Sequence, residues 1–269
     1  MLLGLACGRA YAHPAGAGHP ADHASLGAEA TDPTAPLMSL RLQYQYNPSS
    51  YNADGYSQAS IFQAVIPGSL PFESVPRAIY RTTTPYLSTP DLGPGIGRKN
   101  GFGDTSFLAF GVPNFGLKGQ TLGLGGSFTI PTGGDNEFTG SGQWQAGPAV
   151  VYINSKTKGL QWGGLFTQNW DVSSTRSDAK DVSAFGFQPI LTYHFDEGWY
   201  ISSPDLPQVY DFKTNNWSTN LGLLVGRVFA WRKRHLQIFG AAYYNSEEHE
   251  DIVASEWVTK INISFLMPE

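Results

Sequence analysis

No stretch of this sequence approaches the ~18 consecutive apolar residues of a membrane helix, which excludes a helical span. A transmembrane barrel is not excluded, because its strands show the lipid only every second residue. Cysteine is nearly absent: the one thiol, Cys7, falls in the first few residues, so no disulfide framework can be built. Charge is sparse at 14% of residues, and the net −5 gives no electrostatic footprint for nucleic acid. Missing too are a glycine-rich phosphate loop between strand and helix and any Cys/His metal spacing. Gly93-Pro94-Gly95-Ile96-Gly97 has the glycines, but it contains proline and no helix follows it. No cofactor, no metal and no catalytic residue is therefore expected.

Aromatics are plentiful, with 7 Trp, 13 Tyr and 16 Phe, and glycine reaches 31, a mixture suited to strands and turns. The first twelve residues read as a signal peptide. A short apolar run, Met1 to Gly8, precedes Ala10-Tyr11-Ala12, with cleavage expected before His13. The leader lacks its basic end, so its start is expected upstream. Lipidation at Cys7 is the rival, weakened by Gly4 where a branched aliphatic is wanted. Residues 13–37 are Ala, Gly, Pro, His and Asp without periodicity and read as a disordered tail. Its His13, His19, His23 and Asp22 could scavenge metal, but a solvated linker is the plainer account.

From Ser39 the pattern changes. Leu40-Arg41-Leu42-Gln43-Tyr44-Gln45-Tyr46 alternates strictly between apolar and polar, the signature of a strand with one greasy and one wet face. Similar runs recur near 58–66, 78–86, 103–112, 121–131, 143–154, 160–171, 183–195, 198–210, 216–230, 235–246 and 256–267, twelve in all. The connections alternate long and short. Short ones carry Lys156, Lys158, Arg232, Lys233 and Arg234. Long ones carry Asp135, Glu137, Asp178, Asp181 and the acidic run from Glu247 to Asp251. This is the asymmetry of outer-membrane barrels, with short periplasmic turns and longer external loops. Only Pro67 to Arg77, long on the short side, breaks it.

Three aromatic pairs lie eight residues apart on one strand face: Trp144 with Tyr152, Trp162 with Trp170, and Trp257 with Phe265. Eight residues at ~3.3 Å, tilted ~40°, span ~20 Å, close to the ~25 Å apolar band between aromatic girdles. The opposite faces should line the lumen: Arg41, Gln43 and Gln45 in the first strand, and Lys260, Asn262 and Ser264 in the last. First and last strands must pair to close the barrel, so Arg41 and Lys260 could share one polar wall. Such charges suit a wet barrel better than a dry sandwich core. Thr121, Gly123, Gly125, Ser127 and Thr129 make a stripe of small residues expected to leave room inside. Arg227 faces lipid by strict alternation, or inward if Gly226 forms a bulge.

The chain resembles the bacterial outer-membrane "MetA-pathway of phenol degradation" family, some of whose members carry an erroneous neuromedin label. The resemblance rests on Gly101-Phe102-Gly103-Asp104-Thr105, Thr129-Ile130-Pro131-Thr132-Gly133, Ala146-Gly147-Pro148-Ala149 and Gly198-Trp199-Tyr200-Ile201-Ser202-Ser203-Pro204. Gly226-Arg227-Val228-Phe229, Ala242-Tyr243-Tyr244-Asn245 and the ending Phe265-Leu266-Met267-Pro268 add to it. It covers residue 40 to the end and implies a barrel that passes small, often aromatic, molecules, with no catalytic residues. The chain departs from the pattern at Pro67–Arg77 and at Lys213 to Trp217.

The fold expected is an all-β, closed, antiparallel up-and-down barrel spanning 38–269, in contact with outer-membrane lipid and a small-molecule solute. A barrel plugged by side chains is the alternative, since twelve strands enclose only a modest bore. An enzyme at the outer rim would rest on His249 among its carboxylates. His194 beside Asp196 could serve as a base, but nothing assembles a nucleophile near it. A soluble β-sandwich or lipocalin-like carrier is the rival fold. No flat, less greasy wall of the kind trimeric porins pack together stands out, so no oligomeric state is assigned.

Overall fold

The alternating runs become the staves of one closed sheet in the computed structural model, which describes residues 21–134, 137–232, 234–246 and 254–268. The staves are β1 (Leu37–Asn47), β2 (Ser57–Phe72), β3 (Val75–Ser88), β4 (Thr105–Val112), β5 (Gln120–Ile130), β6 (Gln143–Thr157), β7 (Leu160–Ser174) and β8 (Ser183–His194). A broken stave follows, β9 (Trp199–Ser202) and β10 (Gln208–Asp211), and then β11 (Asn220–Trp231), β12 (Arg234–Asn245) and β13 (Trp257–Pro268). Each pairs antiparallel with its sequence neighbour, and β13 returns to β1 over the register Leu37↔Pro268 to Tyr46↔Thr259. The circle is complete because β9 pairs with both β8 and β11. Counting β9 and β10 as one stave, the barrel has twelve strands.

Alternation decides which side chain faces where. In β13, Ile261 and Ile263 are 61% and 43% exposed, whereas Asn262 and Ser264, which alternate with them, are 0%. This inverts a soluble protein: the apolar face points out and the polar face is buried, as a lipid-facing barrel requires. Leu42, Phe62, Leu124, Leu223 and Ile238 continue the exposed apolar band around the wall. Trp144, Trp162, Trp170 and Trp257 are all exposed on that outer face, and Tyr152 packs edge-on against Trp162 at 5.8 Å between ring centres. Phe265 is half-buried on the same face as Ile261 and Ile263.

Three expectations are corrected. The segment Pro67–Arg77 is not a long connection: β2 and β3 run on to Phe72 and Val75, leaving a two-residue turn. Prolines fit there because β1 pairs with β2 only as far as Val65, so beyond that point β2 is paired on one side and a missing N–H does no harm. The run 198–210 is not one strand, because Ser203 to Pro207 leaves the sheet between β9 and β10. The tail of residues 13–37 is not all unstructured: Ala21–Thr31 forms a helix, α1, inside the barrel. Leu26 and Ala30, four apart, pack with Tyr200, Leu224, Val228 and Phe239, all turned inward from the wall. A helix this short draws its stability from such contacts, which composition alone does not reveal. Asp32-Pro33 ends it, since a residue before proline disfavours helical backbone. The leader with Cys7, His13, His19 and the His249 loop lie outside the described residues.

Candidate functional site: a floored and partitioned lumen

The helix and the sheet break divide the interior. α1 lies at the end holding the chain's short turns, where β1 starts and β13 finishes. Thr31 fixes it to the wall: its hydroxyl donates to Gln161 Oε1 at 2.9 Å and lies 3.2 Å from His194 Nε2. Arg41 reaches across from β1 and donates from Nη2 to the Ala30 carbonyl at 3.2 Å. Just past the helix, Asp32 accepts from the Thr34 amide at 2.7 Å and the Thr34 hydroxyl at 2.6 Å. Burial raises the Asp32 pKa, outweighing the lowering by Thr34 and by the Arg77 charge. Glu29 is also raised, first by burial and then by repulsion from Asp32.

Half-way up, Ser203 to Pro207 folds into the lumen. Two prolines, Pro204 and Pro207, bracket Asp205 and take two backbone donors out of the ladder, so the stave breaks here. Side chains replace the lost pairing. The Ser203 hydroxyl accepts from the Leu191 amide and donates to the Pro189 carbonyl, while Gln208 bonds both the amide and the carbonyl of Asn220. At the tip, Asp205 Oδ1 accepts from Lys260 Nζ at 2.9 Å and from the Tyr243 hydroxyl at 2.6 Å. Lys260 is almost completely buried, so this pair exists only because each charge has its partner.

Two cavities result. The inner, of about 100 Å³, lies between α1 and the inward segment, with Ala30 and Thr31 on its floor and Pro204 and Asp205 above. The outer, of about 250 Å³, is bounded by Gln43, Gln63, Thr83, Asp205 and Lys260. Arg81, Leu165, Gln188 and Asp205 belong to both. Part of the inner wall is apolar: Leu108, Phe110, Val151, Ile153, Leu165 and Ile190 form one inward cluster that starts beside Arg81 and runs round to β8. The stripe of small residues on β5 is filled rather than open, because Val151 and Phe110 already crowd the space over Gly123.

The residues expected to line the lumen therefore separate. Arg41 borders the inner cavity; Gln43 and Lys260 border the outer. Gln45 stands nearer the loops, bonded to Asn47 at 3.2 Å. Asn262 and Ser264 belong to a buried chain: Asn262 donates to Ser264, Ser264 to Gln237, and Gln237 to the Tyr200 hydroxyl. Arg41 and Lys260 share a wall but not a level, since Arg41 sits opposite Ser264 and Lys260 opposite Gln45. Arg227 faces outward on an unbulged strand, 3.5 Å from Glu197 and over the Trp199 ring. His194 contacts Thr31 of the helix, a partner hidden in a stretch without periodicity. Arg81, Asp205 and Gln237 belong to no motif, and Tyr200 and Tyr243 fall in resemblance motifs that imply no role for them. Arg81 shares the inward parity of Ile79 and Thr83, a readable signal, whereas Asp205 sits at the break itself.

The motif segments Gly101–Thr105 and Thr129–Gly133 meet away from the lumen. Thr132 Oγ1 donates to the Gly103 carbonyl at 2.9 Å, and Asp104 accepts from the amides of Gly133 and Ser141, so they pin an outer loop. Among the described residues no three His, Cys, Asp or Glu side chains converge to hold a metal.

No family model matches this sequence, and no curated protein matches it. A solved structure does: the COG4313 outer membrane channel from Pseudomonas putida F1, with a TM-score of 0.60 at 14% identity, over 86% of this chain and 94% of that one. At that identity the likeness is one of fold.

Proposed function

We propose that this chain is an outer-membrane channel for passive passage of small solutes, and that it belongs to the MetA-pathway group whose motifs it resembles. The observation that carries the reading is a barrel with an apolar, aromatic-girdled exterior and two cavities stacked along its axis. A protein with its greasy face outside and its charges inside is built for lipid around it and a polar path within it. The fold shared with an outer membrane channel supports the same reading. Helix α1 is then the removable floor: Leu26 and Ala30 pack on the wall, and Arg41 and the Thr31 contacts hold it there.

Planar-bilayer recording on the purified barrel tests this, comparing the full chain with a variant lacking residues 21–35. Small or intermittent currents are expected from the full chain, and a several-fold larger, steady conductance from the deletion. A silent deletion variant that still shows the heat-dependent gel shift of a folded barrel would overturn the channel. It would favour a closed ligand-binding barrel, the reading to which the Asp205 latch and the helix floor otherwise lend themselves.

A further inference from the structure

The charges inside this barrel do not balance. Between the helix floor and the outer cavity, Arg41, Arg81 and Lys260 project inward against a single carboxylate, Asp205. That carboxylate is already committed, to Lys260 at 2.9 Å and to the Tyr243 hydroxyl at 2.6 Å. Arg41 spends one donor on the Ala30 carbonyl, and its Nε has no partner. Arg81 makes no hydrogen bond or ion pair among the described residues, although it borders both cavities. Arg77, whose charge acts on Asp32, lies below at the floor.

The two guanidiniums approach each other from strands with β2 between them. Arg41 sits opposite Gln63 and Arg81 opposite Val65, so two inter-strand steps and a two-residue offset put their backbones about 12 Å apart. Both guanidinium side chains line the inner cavity, so they point into one space. A guanidinium offers a planar fork of donors, matched to a carboxylate and always charged. Leu165 and Ile190, on β7 and β8, line the far side of the inner cavity, while Phe110 stands on β4, beside the strand that carries Arg81 and Ile79. An enclosed chamber with low-dielectric walls focuses the unpaired positive field.

Each class of solute meets this chamber differently. A cation is repelled. A neutral apolar molecule leaves the guanidiniums without an acceptor. A small inorganic anion leaves the apolar wall uncovered. Resting on the channel reading, the geometry points to a binding station for small organic carboxylates with a compact apolar body. The carboxylate sits between Arg41 and Arg81 and the body lies on Phe110, Leu165 and Ile190. Because Arg81 borders both cavities, it is the handover point: an anion entering from the loop side meets Arg81 past the Asp205 latch and Arg41 next.

Benzoate is the probe, and two measurements separate the claims. In planar bilayers under a tenfold gradient of potassium benzoate, the zero-current potential of the wild type should report benzoate selectivity. Arg81→Gln should move it toward potassium, and Arg81→Lys, which keeps the charge but not the fork, should fall between. Calorimetry on the detergent-solubilised barrel, which needs no open pore, should show benzoate binding at least about tenfold tighter than to Arg81→Gln. Acetate and benzyl alcohol should bind the wild type more weakly than benzoate. Current carried without selectivity and unchanged by Arg81→Gln would overturn the carboxylate station and leave the channel standing. Absence of current in every salt would overturn the channel, and calorimetry would then decide: benzoate binding lost in Arg81→Gln keeps the station, and no benzoate binding removes it.

Discussion

Asp205 is the residue on which the interior depends most. It is the acceptor for both Lys260 and Tyr243, and it is the tip of the only segment that leaves the wall of the described barrel. Replacing it by Asn strands a buried ammonium, which costs about 3–5 kcal/mol when one partner of a buried pair is removed. Asp205→Asn should therefore lower the temperature of the heat-dependent gel shift markedly. The double variant Asp205→Asn with Lys260→Met, which removes both charges, should recover most of it. Equal losses in single and double variants would mean that the pair contributes little and packing of the prolines holds the segment. Sequence alternation identifies Lys260 as inward but not its partner, because Asp205 lies where alternation stops. The same holds for Asn262 and Ser264: parity turns them inward, but only the three-dimensional neighbours Gln237 and Tyr200 decide that they form a closed chain instead of a lining.

Among the elements, α1 carries the clearest prediction. With the helix docked, Asp32 and Glu29 both hold protons more tightly than free carboxylates do. A group whose pKa is raised in one state favours that state at low pH. Docking is thus strengthened in acid, and the advantage is lost as the pH rises through the docked values. Conductance should rise as the pH climbs through and above the ordinary carboxylate range, and Asp32→Asn should flatten part of that dependence while holding the floor shut. A conductance that falls over the same range would reverse the sign and reject the assignment. The contact between Thr31 and Gln161 offers a second handle. A short reducible thiol cross-linker joining Thr31→Cys to Gln161→Cys should hold the pore closed, and a reductant should release it within the same recording. None of this was legible in residues 13–37, whose small side chains show no period. A helix there becomes favourable only because the barrel supplies Leu224, Val228 and Phe239 as its core. The strands, by contrast, announce themselves, since a two-residue period survives whichever face is buried. The hairpin of β2 and β3 escaped notice for a different reason. Its prolines read as breakers until the one-sided pairing beyond Val65 is seen.

For the whole molecule, the outer wall makes the firmest commitment. Ile263 stands in the middle of the exposed apolar band, two residues from Ile261 and flanked by Leu42 and Ile238 across the strands. An arginine there should cost about 2–4 kcal/mol at the bilayer midplane and reduce folding into vesicles. The same change in a soluble sandwich would be tolerated on an exposed face, so normal yield and detergent-free solubility of Ile263→Arg would reject the membrane orientation. The inside-out pattern of the wall is readable from sequence because a two-residue period runs through every stave alike. The contents of the lumen depend on which residues meet across it, and no linear pattern encodes that.

The aromatic rings have one more consequence. Trp144 and Tyr152, like Trp162 and Trp170, sit eight residues apart on the outer face, a separation of ~20 Å along the barrel axis. That is a molecular ruler shorter than the ~30 Å hydrocarbon core of an ordinary bilayer, so a thick membrane must thin around this protein or pull its rings below the headgroups. The barrel should fold fastest and record most quietly in short-chain lipids. The bilayer chosen for an assay will then influence the floor helix as surely as any substitution.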